Sequence, residues 1–188
     1  MDVLDHLTEE HRKVERLLDQ LADSDEGAER DRLIGELESS LGTHMAVEER
    51  FVYPIVKDVL GAEDKHEGVN EHDLAREGLV KLRELQDEPG FGAAVDMLKG
   101  GIGHHVEEEE GEMFPKLRQE AADRLAALGP AEELEEKVEE GSGSRRTGEV
   151  SGKGELTRDE LYERAKDAGI EGRSSMTKDE LREALSET

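Results

Sequence analysis

Two strings in the 188-residue chain, HMAVEERFVYP (44–54) and HHVEEEEGEMFP (104–115), share the pattern H-x3-E-E-x3-aromatic-P once the second is registered on His105. Residues four apart on an α-helix differ by about 40° around the axis and roughly 6 Å along it. His44 with Glu48, and His105 with Glu109, are therefore two-pronged claws, each offering an imidazole and a carboxylate from one helix face. Both claws belong to a longer repeat at an offset of 61, in which His11 matches His72 and Pro54 matches Pro115. His11 and His72 each add one imidazole from the other helix of their hairpin. Four neutral nitrogen donors and two carboxylates facing one interior suit divalent and trivalent cations such as iron, manganese or zinc. Burying those groups without compensation is expensive, which also argues for a metal ion between them.

The elements that would carry these residues are all helical. Leu4, Leu7, Val14, Leu17, Leu18 and Leu21 lie on one stripe at three- and four-residue steps, and Asp23–Gly27 interrupts it. Leu33, Ile34, Leu37 and Leu41 restart the stripe toward Phe51, Val52, Ile55, Val56 and Val59, with a break at Gly61. Leu74, Leu79, Leu82 and Leu85 predict a third helix, closed by Glu88-Pro89-Gly90; Val95, Leu98 and Ile102 begin a fourth that continues to Met113 and Leu117. The apolar frame repeats with the histidines, Leu18 with Leu79, Leu21 with Leu82 and Leu37 with Leu98. No segment shows the period-two alternation of a strand. Short connections predict an all-α, antiparallel up-down-up-down four-helix bundle over residues 1–130.

Composition narrows the function classes. The chain has 50 acidic and 25 basic side chains, a formal net charge of −25 and no cysteine. Thiol nucleophiles, disulfides and zinc–thiolate sites are excluded. So negative a chain repels bare nucleic acid and anionic membrane. It holds no apolar run of about 18 residues and no basic-then-apolar leader, so the expected compartment is the cytoplasm, without membrane attachment. Residues 131–154 read as a short solvated acidic helix fading into a Gly/Ser-rich linker. Residues 155–188 regain periodicity: Thr157–Glu160 and Thr177–Glu180 are two capping boxes, and they predict a helix, an extended loop and a second helix.

The repeated histidine–glutamate signature resembles that of the hemerythrin-like (HHE cation-binding) family over residues 1–130. The resemblance implies two non-haem iron ions inside the bundle, joined by carboxylates and an oxo or hydroxo group. Carried over by position, the ligands are His11, His44, Glu48, His72, His105 and Glu109, with Glu48 and Glu109 bridging. It also implies a small diatomic or peroxide ligand at an open position. One departure matters: oxygen-carrying members place a second histidine on the third helix, four residues after the first, and this chain has Arg76 there. That shifts the expectation from reversible oxygen storage toward sensing or reacting with oxygen, peroxide or nitric oxide. Catalase-like peroxide dismutation is the enzymatic form of that expectation. An iron-binding or storage protein without turnover, and a structural acidic bundle with a partner-recruiting tail, are the alternatives. The tail resembles the SAP-like module of the Rho termination factor N-terminal domain, which implies a nucleic-acid contact through Arg173, Lys178 and Arg182; the acidic balance favours a protein contact.

Other candidates read as accessory. His104 makes its own H-x3-E with Glu108 but points about 100° from His105. His6 lies about 140° around the helix from His11, and His66 sits in a loop-like KHEG segment. Tyr53 and Phe114 occupy equivalent positions before the prolines, where packing is the simpler role, although Tyr53 is within reach of an open metal position. Glu49, Glu107, Glu108 and Glu110 read as a solvated face or as acceptors for the outer imidazole nitrogens.

Overall fold

The computed structural model describes residues 2–146 and position 185. The rest of the expected linker and nearly all of the expected C-terminal helix–loop–helix lie outside the described residues. Among the described residues there are helices and no strands. Helix α1 (Val3–Ala22) is opened by Asp2, whose carboxylate accepts from the Leu4 and Asp5 backbone N–H groups at 2.9 and 3.0 Å. Such a cap satisfies donors that the first turn otherwise leaves open. A second rod comprises α2 (Ala28–Val47), a π-helical turn (Glu48–Val52) and α3 (Tyr53–Val59). Helix α4 (Ala62–Glu84) follows. The fourth rod repeats the second: α5 (Phe91–Glu108), a π-helical turn (Glu109–Met113) and α6 (Phe114–Glu120). Short α7 (Ala122–Leu128) and α8 (Ala131–Arg146) complete the described chain. The four rods form the antiparallel bundle expected from the apolar stripes.

Two apolar clusters fill the bundle, one at each end. The first gathers residues between Val14 and Met45 with Leu79, Leu82, Phe91, Val95, Leu98 and Ile102. The second holds Val3, Leu4 and Leu7 with Val52, Ile55, Val56, Phe114, Leu117 and Leu134. His11 falls on its helix between the stretches that feed the two clusters, and His44 lies near the end of the stretch that feeds the first. The interior is thus dry above and below a polar waist. At the far end Arg30, nearly buried, lies 4.1 Å over the Phe91 ring and donates to the carbonyls of Ser24 and Gln86, which ties two turns together.

Three expectations need correction. Leu74 is 66% exposed and does not belong to the core of α4. Residues 62–73, His66 included, are helical rather than loop-like. The first turns of α4 have no apolar stripe because their inner face carries Gly68 and His72 instead. Glu63 and Asp64 in the first turn suit the positive end of the helix dipole. The opening turn of α8 also packs rather than standing in solvent: Ala131 and Leu134 are buried, and the Lys137 carbonyl accepts from Arg50 at 2.8 Å.

Candidate metal centre

The waist brings together all six side chains carried by the repeat. His11, His44, Glu48, His72, His105 and Glu109 are each at most 8% exposed. Each carboxylate lies between imidazoles from two different hairpins. A Glu48 oxygen is 3.2 Å from His44 Nε2 and 3.1 Å from His72 Nε2. A Glu109 oxygen is 3.4 Å from His11 Nε2 and 3.5 Å from His105 Nε2. His11 Nε2 and His44 Nε2 stand 3.2 Å apart. Two donor groups result, His11–His44–Glu48–Glu109 and Glu48–His72–His105, each with its atoms within 4.8 Å of one another.

The carboxylate oxygens approach the imidazoles without hydrogen bonds. Both Glu48 oxygens, Glu109 Oε2 and His105 Nε2 are buried with no hydrogen-bond partner. Lone pairs that converge at such spacings meet the requirement of a cation with bonds of about 2.1 Å, whose neighbouring ligands lie roughly 3.0–3.4 Å apart. The donor set therefore fits a metal centre, and fits it better than a self-contained polar network, which would satisfy its members.

Outer carboxylates fix three of the four imidazoles. His11 Nδ1 meets Glu110 at 2.8 Å, His72 Nδ1 meets Glu49 at 2.9 Å and His105 Nδ1 meets Glu71 at 2.8 Å. Glu10 stands 3.6 Å from His44 Nδ1, beyond hydrogen-bond distance, and that nitrogen is buried without a partner. An acceptor on Nδ1–H holds the tautomer that leaves Nε2 free for a cation. Glu49 and Glu110 fit the acceptor role expected of them; Glu71 is an addition, and Glu10, its repeat counterpart, stands too far from His44 to bond. Their signal was present, because each glutamate immediately precedes a repeat histidine and the pair obeys the same offset of 61.

The π-turns were not anticipated. Each begins at the claw glutamate, and the N–H groups of Tyr53 and Phe114 bond to the Glu48 and Glu109 carbonyls five residues back. Pro54 and Pro115 follow at once. A proline offers no N–H and its ring collides with the carbonyl four residues earlier, so a widened turn before it relieves both problems. In a regular α-helix, positions 48 and 53 would sit about 140° apart; the wide turn aims both inward. The Tyr53 hydroxyl consequently reaches the cluster, 3.1 Å from His72 Nε2 and donating to Glu109 Oε1 at 3.3 Å. Tyr53 is thus more than packing. Phe114, its repeat partner, only stacks on His11. Gly68 makes the room, since a Cβ there would stand 2.6 Å from the Tyr53 hydroxyl. Leu7, its repeat equivalent, fills space in the second apolar cluster.

The remaining candidates lie outside. His104 is exposed, near Glu71 and Glu108. His6 meets Glu135 at 3.0 Å. Arg76 points to Glu49 at 2.7 Å and Asp73 at 3.0 Å, so it braces an outer carboxylate.

Electrostatics in the cation-free cluster follow from burial against opposite charge. Burial pulls His44 down, but Glu48, Glu10 and Glu109 outweigh it and push it up to about 10. His105 likewise rises to about 9 against burial, through Glu109, Glu71 and Glu48. Burial raises Glu48, yet His44 and His72 hold it well below the usual carboxylate range. Glu109 is pushed up by burial and by the Glu48 charge. Burial, with Glu48 and Glu109, keeps the Tyr53 hydroxyl protonated.

Two cavities adjoin the waist. A large one of about 710 Å³ is lined by the four repeat histidines and mostly by apolar residues, including Ala75, Leu98 and Ile102, with Glu71, Glu77, Lys81 and His104 also on its wall. A small one of about 160 Å³ lies against Glu109 and His105.

A helical bundle with a buried, repeated histidine–glutamate waist defines a cation-binding class of protein. Residues 2–117 match the hemerythrin HHE cation-binding domain, and the chain belongs to that family. Among curated proteins it is similar to a DNA nickase of Nostoc sp. (strain PCC 7120), 26% identical over 119 residues. That match covers 63% of this chain, which spans about a third (34%) of the relative's length. No solved structure matches the chain. No helix among the described residues is long and apolar enough to cross a membrane.

Proposed function

We propose that the waist holds two non-haem iron ions, with His11, His44, His72 and His105 as nitrogen ligands and Glu48 and Glu109 shared between the ions. The observation that carries this reading is the presence of two donor groups with Glu48 in both and with unpartnered atoms in each. Iron suits a mixed imidazole and carboxylate set of this kind. A bound iron pair supplies open coordination and one-electron steps to a small ligand such as oxygen, peroxide or nitric oxide.

The chain's own residues do the rest. Two carboxylates offset much of the charge of the cations inside a dry interior. The outer glutamates keep the imidazoles oriented. The large apolar cavity gives neutral diatomic molecules a water-poor path to the inner histidines. Tyr53, held protonated, supplies an O–H at Glu109. With six inward donors the waist accommodates a pair of ions rather than a mineral store, which favours reaction or sensing over storage.

The activity in the Nostoc relative's name suits this waist poorly. Its donors are buried beyond reach of a DNA backbone, and the charge of −25 opposes phosphate contact. Anaerobic iron titration followed by oxygen, peroxide or nitric oxide tests the proposal. The expected result is near-ultraviolet and visible charge-transfer bands that respond to at least one of the three, with oxygen release from peroxide if the centre turns over. Iron bound without any optical response would leave a storage role; no iron bound would overturn the reading.

A further inference from the structure

A buried cation site needs a way in, and the apolar cavity is a poor one for a charged ion, since desolvation against hydrocarbon costs several kcal/mol or more. The small cavity has the opposite character. Its wall includes Asp64, Glu67 and Glu71 of α4 and Glu108, Glu109 and Glu112 from the fourth rod. Lys116, its one lysine, is within 3.7 Å of Glu112. At about 160 Å³ it exceeds several times the roughly 30 Å³ that a water occupies. Two unpartnered buried atoms belong to lining residues at its inner end, Glu109 Oε2 and His105 Nε2.

Glu71 and Glu108 of its wall also belong to a further donor group with His104, a residue on the wall of the large cavity, the three within 4.8 Å of one another. His104 Nε2 is 3.4 Å from Glu108 and 3.7 Å from Glu71 Oε1. The other oxygen of Glu71 holds His105 Nδ1 at 2.8 Å. One carboxylate therefore touches both the outer group and an inner imidazole. A cleft lined by one sign of charge also concentrates counter-ions at its mouth.

We propose that this acidic cavity is the route by which the cation reaches the waist, with Glu71, Glu108 and the neighbouring His104 forming a transient cation site beside it. The inference rests on the metal-centre reading. It assigns His104, outside the waist, a role in delivery beside Glu71, which lines both cavities.

Stopped-flow uptake of Co(II) by the cation-free full chain tests it. The variants are H104N/E108Q, D64N/E67Q and, in the apolar cavity, M97S. All five substituted positions lie away from the apolar core. Both acidic-route variants are expected to load about tenfold more slowly than the parent, with the same final cobalt content, while M97S loads at the parent rate. Added salt should slow the parent and narrow the difference. Parent-like rates in both acidic variants, or an equal slowing by M97S, would overturn the route while leaving the centre intact. Lower final content at an unchanged rate would make these residues permanent ligands and likewise overturn it. No cobalt uptake by the parent would remove the centre itself and the route with it.

Discussion

Glu48→Ala is expected to cost the chain more than about a hundredfold in cation affinity and to reduce its content from two ions to one or none. Mutating an outer partner of a metal ligand typically costs 10–100-fold. Glu48 is placed deeper than any such partner: it is fully buried, shared between both donor groups, and close to imidazoles of two hairpins. Glu71→Gln, which touches only the outer nitrogen of His105, should fall in that 10–100-fold range. Alanine is a good helix former, so the rod should persist, and circular dichroism will show it. Equilibrium dialysis with metal analysis decides the matter; an E48A protein with full ion content contradicts the assignment of Glu48.

The second large effect is on pH dependence. In the cation-free chain His44 titrates near 10 and His105 near 9, both above the ordinary imidazole value, so both carry protons at pH 7. A folded value above the unfolded one stabilises the fold fully below about 6.5, and that contribution disappears as pH rises through about 9 and then about 10. A cation takes the place of those protons. Cation affinity should therefore rise between pH 7 and 9 by about tenfold per pH unit for each proton displaced, and binding should release protons. Titration calorimetry in two buffers of different ionisation enthalpy measures the release directly. The thermal stabilisation by cation should widen over the same range; a gap independent of pH, with no proton release, contradicts this electrostatic picture.

Much of the waist was legible because duplication leaves a numerical trace. An offset of 61 picks out the six inward groups, and it holds for Glu49 with Glu110 and Glu10 with Glu71 as well. The first of these pairs stands out within the H-x3-E-E pattern; the second does not, because a glutamate beside a histidine is unremarkable in so acidic a chain. The bundle itself followed from apolar periodicity, since buried leucines at three- and four-residue steps specify a helix face. The same rule misplaced Leu74 and lost the start of α4, where the buried positions are a glycine and a histidine instead of apolar residues. Tyr53 was undervalued for a geometric reason. Ordinary helical spacing turns it away from Glu48, and only the widened turn before Pro54 aims it inward. A proline fixed six residues after each claw glutamate was the available sign. Pairing Tyr53 with Gly68, against Phe114 with Leu7, is where the two halves stop being equivalent, and it depends on contacts between helices that spacing within one helix does not reveal.

Anomalous diffraction from crystals of the iron-loaded chain, recorded at the iron edge, tests the central claim most directly. The account predicts two peaks inside the bundle, flanked by Glu48 and Glu109 and bounded by the Nε2 atoms of His11, His44, His72 and His105. Peaks confined to the outer carboxylates, or an interior without any, would contradict it.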